Sequence, residues 1–355
     1  MILSLAQLLL ATVALSRPQS PPSADFTGVD RFWAVAEALT HGAEPSSDEW
    51  RHLFDAPAYR TLQKDARLQR LMRLAFLPAS QIQRDSVLAT DSYDAAQLRH
   101  LRRILDHREA LQRFRDSLAT IDVLGQATPL AAAYLPPGET ARRPPPPLAF
   151  GLFEPAAYGG RNGITVDLLF ALERGPQLIP LLAHEVHHFH AGFVSRLHLP
   201  ARSAPEFRLV QYLRNLADEG TADRINLVFP VTPPALPPDV VGSYNAAYDH
   251  AVASLRSVDS LLASAGSDSA HARRAGDGLV ATLVYAGHPV GAYMAERIER
   301  RLGRDGLIAA VGNPFEFLRC YARADSLASG TNPFSPASRA YLAALEERFV
   351  GPPPQ

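Results

Sequence analysis

One short stretch constrains this chain more than any other: His184-Glu185-Val186-His187-His188, set in an apolar run that includes Leu178, Ile179, Leu181, Leu182, Ala183 and Phe189. Proline is tolerated in the first turn of a helix and not deeper, so Pro180 predicts a helix that starts near it and runs through the histidines towards Leu197. On that helix His184 and His188, four residues apart, stand one turn apart on one face, where two imidazoles can share an ion. Glu185 is rotated by about 100° from the first histidine. From there its carboxylate reaches a water beside the ion without binding the ion itself. His187 and His190 fall on other faces and read as packing or surface residues.

A catalytic zinc site takes three protein ligands and keeps one position for water, with imidazole nitrogens at about 2.0–2.1 Å. The third ligand is expected in Leu216-Ala217-Asp218-Glu219-Gly220-Thr221-Ala222-Asp223, where Glu219 and Asp223 share a helical face. One carboxylate can bind zinc. The other can accept the free N–H of a ligand histidine, which fixes its tautomer and raises its basicity. Glu219 is the expected ligand and Asp223 the supporting residue, with the reverse assignment left open. One zinc ion per chain is the expected cofactor. A structural zinc site leans on cysteine and needs no carboxylate beside its first ligand, and this chain has a single cysteine, Cys320, read as an inert buried thiol. The chemistry this pattern predicts is hydrolysis by an activated water, with Glu185 as the general base. A developing oxyanion needs a second donor. Tyr244, Tyr248, Tyr285, His288 and Tyr293 are candidates, and His288 and Tyr293 are favoured because Tyr285-Ala286-Gly287-His288-Pro289-Val290-Gly291-Ala292-Tyr293 gathers them near a helix start.

The rest of the chain reads as helices around a small sheet. Phe32, Trp33, Val35, Ala36 and Leu39 recur at helical spacing. Ser46-Ser47-Asp48-Glu49 offers a capped helix start, and Leu98, Leu101, Ile104, Leu105 and Leu111 form a further stripe. Arg142-Arg143-Pro144-Pro145-Pro146-Pro147 is a stiff connector, which suggests an N-terminal helical region at 17–140 and a catalytic domain at 147–350. Strands are expected at 148–153 and 164–169, paired as a hairpin around the turn 158–163. Further helices are expected at about 206–227, 243–264, 277–301, 314–327 and 336–348. The fold class is therefore α+β and mainly α-helical.

With 47% apolar and 20% charged residues the chain can bury a large core, and a formal net charge of −1 offers no footprint for nucleic acid. Residues 1–16 are an apolar run ending in Ala14-Leu15-Ser16, followed by Arg17-Pro18. That pattern reads as a signal peptide, although no positive residue precedes the run, and it is too short for a membrane span. Export, to the periplasm or the medium, is the expectation.

His184-Glu185-Val186-His187-His188 followed by Glu219-Gly220-Thr221-Ala222-Asp223 resembles the gluzincins, zinc metallopeptidases of the thermolysin and aminopeptidase-N type. The arrangement is also similar to a bacterial family proposed to be zinc-dependent peptidases. The specific match covers residues 180–226. The resemblance implies a zincin-like domain with a small antiparallel sheet beside the histidine helix, and a peptide or protein as substrate. It implies His184, His188 and Glu219 as ligands, Glu185 as base and Asp223 behind them. It also implies that an edge strand, here 164–169, pairs with the substrate backbone. Departures are visible. The gap from His188 to Glu219 exceeds that of thermolysin. Ala191 and Val194 stand where metzincins carry a glycine and a third histidine. Gly220-Thr221-Ala222-Asp223 partly echoes the aspzincins, but Asn226-Leu227 replaces their Tyr-Gly. A hydrolase of a non-peptide amide, or a metal-binding scaffold, are the competing functions.

Overall fold

The computed structural model describes residues 24–60, 62 and 65–351, so the expected signal segment lies outside the described residues. Eight helices come first: α1 Thr27–Thr40, α2 Ser47–Phe54, α3 Pro57–Arg60, α4 Asp65–Phe76, α5 Gln81–Leu88, α6 Tyr93–Asp106, α7 Arg108–Leu118 and α8 Val123–Ala132. The expected cap forms at α2: Ser46 Oγ accepts from Glu49 N at 3.2 Å, and Glu49 Oε2 accepts from Ser46 N at 2.7 Å. The apolar stripes of α1 and α6 are buried.

Strands β1 Leu148–Gly151, β2 Ala157–Gly160 and β3 Gly163–Asp167 form one sheet in the order β1-β3-β2. β1 runs parallel to β3, and β2 runs antiparallel to it. The expected hairpin is thus corrected. The residues read as its turn, Tyr158-Gly159-Gly160, are themselves a strand, and Arg161-Asn162 alone turn the chain. Gly163 permits this tight turn with φ +124°, where a Cβ would also meet Pro147 O at 2.6 Å. The sheet is mixed rather than antiparallel, and β3 is its central strand. The edge beside the histidine helix is β2, not residues 164–169. Leu168 and Leu169 already belong to α9 Leu168–Arg174, capped by Asp167, whose Oδ1 accepts from Phe170 N at 2.8 Å.

The second half is helical: α10 Leu178–Val194, α11 Phe207–Asn226, α12 Pro238–Asp249, α13 Ala251–Ala265, α14 Ser269–Thr282, α15 His288–Leu302, α16 Arg304–Ala310, α17 Pro314–Ser329 and α18 Pro336–Phe349. The helices expected at 243–264 and 277–301 are each interrupted. The second break has a clear cause: Tyr285, Ala286 and Gly287 carry φ of 52°, 54° and 93°, which no α-helix accommodates.

The proline connector does not mark the border between the hydrophobic cores. One core packs the N-terminal helices against the sheet and against Leu178, Leu182, Ala183 and Val186 of α10. A second gathers α11, through Leu209, Leu213 and Leu216, with α13–α18. α10 and α11 therefore lie side by side along the seam. Among the described residues no helix is long and apolar enough to cross a membrane.

Candidate metal centre

The two seam helices carry opposite sides of the site. On α10, His184 Nε2 and His188 Nε2 lie 2.9 Å apart. From α11, Glu219 Oε2 comes within 2.9 Å of His188 Nε2 and 3.3 Å of His184 Nε2. Donors held at about 2.0–2.1 Å from a tetrahedral zinc stand about 3.3 Å from one another. The triangle is close to the size the ion requires, and it is a cluster that can hold a metal. Two imidazole nitrogens facing each other at this distance can share at most one proton, whereas a cation between them satisfies both lone pairs.

Behind the triangle, His184 Nδ1 donates to Asn226 Oδ1 at 3.2 Å, which leaves its Nε2 lone pair pointing at the site. Asp223 is 3.5 Å from that Nδ1, on the far side of the ring from the converging atoms. Its carboxylate instead accepts from Tyr244 Oη at 3.1 Å and from His288 Nδ1 at 3.1 Å. His288, in the first turn of α15, stacks on His184 with ring centroids 5.9 Å apart. Its Nε2 lies 3.4 Å from Glu219 Oε2.

The field of the site is strongly negative. Burial disfavours charge on His188, yet Glu219, with Glu185 and Asp218, pushes it up to about 9. Burial likewise opposes charge on His288, and Glu219, Asp223 and Glu185 push it up to about 10. Glu219 is held well below the usual carboxylate range despite its burial, because His188 and His288 face it. A field that holds protons on buried imidazoles also favours a dication in their place. The residues present therefore fit a zinc ion.

Glu185 is buried beneath β2. Its passage depends on Gly159, where a Cβ would stand 2.6 Å from Glu185 O and 2.6 Å from Glu185 Oε2. A cleft of about 560 Å³ opens beside the triangle, lined by His188 and Glu219 together with Gly160, Arg161 and Arg214.

Of the sequence candidates, His184, Glu185, His188, Glu219, Asp223 and His288 are brought together. Tyr293 is not: its hydroxyl accepts from Arg297 at 2.8 Å and its ring packs on Tyr248. Tyr248 is bound to Glu296 and Tyr285 to Ser243, while Tyr244 stands behind Asp223. His187 and His190 are interior residues, and burial pushes His187 down to about 3. Cys320 is buried and its thiol pushed up to about 11, chiefly by desolvation. Sequence reasoning gave no role to Asn226. Its spacing of seven from Glu219, two turns along one helical face, carried that signal.

The chain is thus an α+β, mainly helical protein in which two histidines and a glutamate on adjacent helices, with a second glutamate alongside, form a cluster that can hold a metal ion. The family described as "Putative zinc dependent peptidase (DUF5700)" matches residues 49–327, and the chain belongs to it. No curated protein and no solved structure matches the chain.

Proposed function

We propose that the protein is a peptidase that hydrolyses peptide bonds with one zinc ion held by His184, His188 and Glu219 in a zincin-like site. The observation that carries this reading is the convergence of those three donor atoms beside a buried Glu185. A zinc ion there supplies a Lewis acid that lowers the pKa of a water towards about 7 and polarises a carbonyl. Glu185 takes the proton of the attacking water and delivers it to the leaving nitrogen, giving a carboxylic acid and an amine. His288 donates from Nε2 to the carbonyl oxygen as charge develops on it, with Nδ1 held by Asp223. Asn226 fixes the tautomer of His184. Family membership supports zinc and peptide chemistry, and the cleft offers room for an extended substrate.

The test is hydrolysis of a mixed peptide library by zinc-loaded protein, with Glu185→Gln in parallel. Cleavage by the wild type that disappears in the variant while one equivalent of zinc stays bound supports the reading. Zinc binding without cleavage of any peptide rejects it in favour of a non-peptide amide substrate. Absence of zinc binding returns the chain to a scaffold.

A further inference from the structure

We propose that Arg161 is a specificity-determining residue that recognises a carboxylate of the substrate next to the scissile bond. This rests on the peptidase reading of the same site.

Arg161 follows the edge strand β2 directly, in the two-residue turn to β3. Its orientation is fixed from two sides. Nε donates to Gly192 O at 2.7 Å, and the guanidinium lies 5.6 Å from the centroid of the Phe193 ring. Gly192 makes room for this, since a Cβ there would press on Arg161 Cγ at 3.2 Å. With Nε engaged, the two terminal nitrogens keep the fork geometry that suits a carboxylate. Among the described residues Arg161 forms no ion pair, whereas Arg214, on the same cleft, is neutralised by Asp218 at 2.8 Å. The uncompensated charge therefore belongs to Arg161, and Arg161 lines the same cleft as His188 and Glu219.

The placement also sets a distance. Gly192 is four residues beyond His188 on α10, a rise of about 6 Å along the helix. An extended peptide covers that in roughly two residues. The group that reaches Arg161 is thus an acidic side chain within two residues of the cleaved bond, or the free carboxylate of a chain end at that distance.

Two matched peptide series separate these sources. One exchanges glutamate for glutamine near the scissile bond, and the other exchanges a free for an amidated C-terminus. Each is read by KM and kcat with the wild type, and by fluorescence anisotropy of labelled peptides on zinc-loaded Glu185→Gln protein, which needs no turnover. We expect the anionic member of one series to bind about tenfold tighter than its neutral partner. Arg161→Ala should abolish that ratio through KM with kcat little changed, and Arg161→Lys should retain some of it. Gly192→Ala, which displaces the guanidinium without removing it, should reduce the ratio as well. Equal binding of anionic and neutral peptides by the wild type, a ratio unchanged in Arg161→Ala, or no measurable peptide binding overturns the assignment. Cleavage without acid preference removes Arg161 alone. Arg161-dependent binding without any cleavage removes the peptidase reading and leaves the carboxylate site.

Discussion

Gly220 and Gly291 meet backbone to backbone. A Cβ on Gly220 would stand 2.8 Å from Gly291 Cα, and one on Gly291 would stand 2.5 Å from Leu216 O. This contact draws α15 onto α11, and so sets His288 beside Glu219 and Asp223 on the neighbouring helix.

Gly220→Ala must therefore push the two helices apart. Overpacking of a closed interface costs about 1–3 kcal/mol, so the urea midpoint should fall by a corresponding amount. Catalysis should fall further than stability, because His288 leaves the site. Unchanged unfolding and unchanged turnover would show that the helices can separate without cost.

Asn226→Ala tests the support of His184. Loss of a partner to a ligand histidine weakens metal binding by about 10–100-fold, while a polar-to-small change at the end of α11 leaves the fold in place. Competition with a chelating dye measures the affinity. Asn226→Asp keeps the acceptor and should keep the metal.

Gly159→Ala should impair catalysis with little effect on zinc. The new methyl group would lie 2.6 Å from both the carbonyl and the carboxylate of Glu185. β2 must then lift from α10 or the carboxylate must turn away. A loss of kcat of about tenfold or more, with full zinc occupancy, is expected; normal kcat would detach Glu185 from the proton transfer.

The surface adds an acid sensitivity separate from the metal. Arg73 holds Glu44, Arg70 and Arg67 hold Asp94, and Arg319 holds Glu346 below their ordinary carboxylate values. A depressed folded-state pKa contributes stability that is present above the unfolded value and is lost as pH falls through the folded one. The contribution of these pairs, read as the difference in urea midpoint between metal-free protein and its Arg73→Ala and Arg319→Ala variants, should therefore hold from pH 7 to about 5 and decline from about pH 4.5 downward. Urea midpoints at stepped pH read this out. A difference that stays constant down to about pH 3 would mean that these arginine pairs add no acid sensitivity.

The histidine helix and its partner were legible because metal chemistry and helical period speak through the same residues. His184 and His188 sit on an apolar helix and Glu219 on an amphipathic one, and in each the helical repeat fixes the face turned to the other. The mixed sheet was not legible. Strands of four or five residues carry too little pattern to declare their pairing, and the glycines of β2 imitate a turn. The helix start near His288 was legible, but the end of the preceding helix was not: Tyr285 and Ala286 take positive φ, which nothing in their side chains announces. That Tyr293 faces elsewhere than His288 could have been read from the sequence. Five residues beyond His288 on one helix, it points about 140° away.

The seam between the two cores has a last consequence. The histidines stand on a helix that belongs to one core, and the glutamate on a helix that belongs to the other. Neither half owns a complete donor set. A cut between α10 and α11 would leave two fragments, each short of the full donor set, and a gain of zinc affinity on mixing them would report that the halves had found each other again. A full-strength metal site in this chain thus doubles as a certificate of assembly, since the third donor arrives only when the two halves meet.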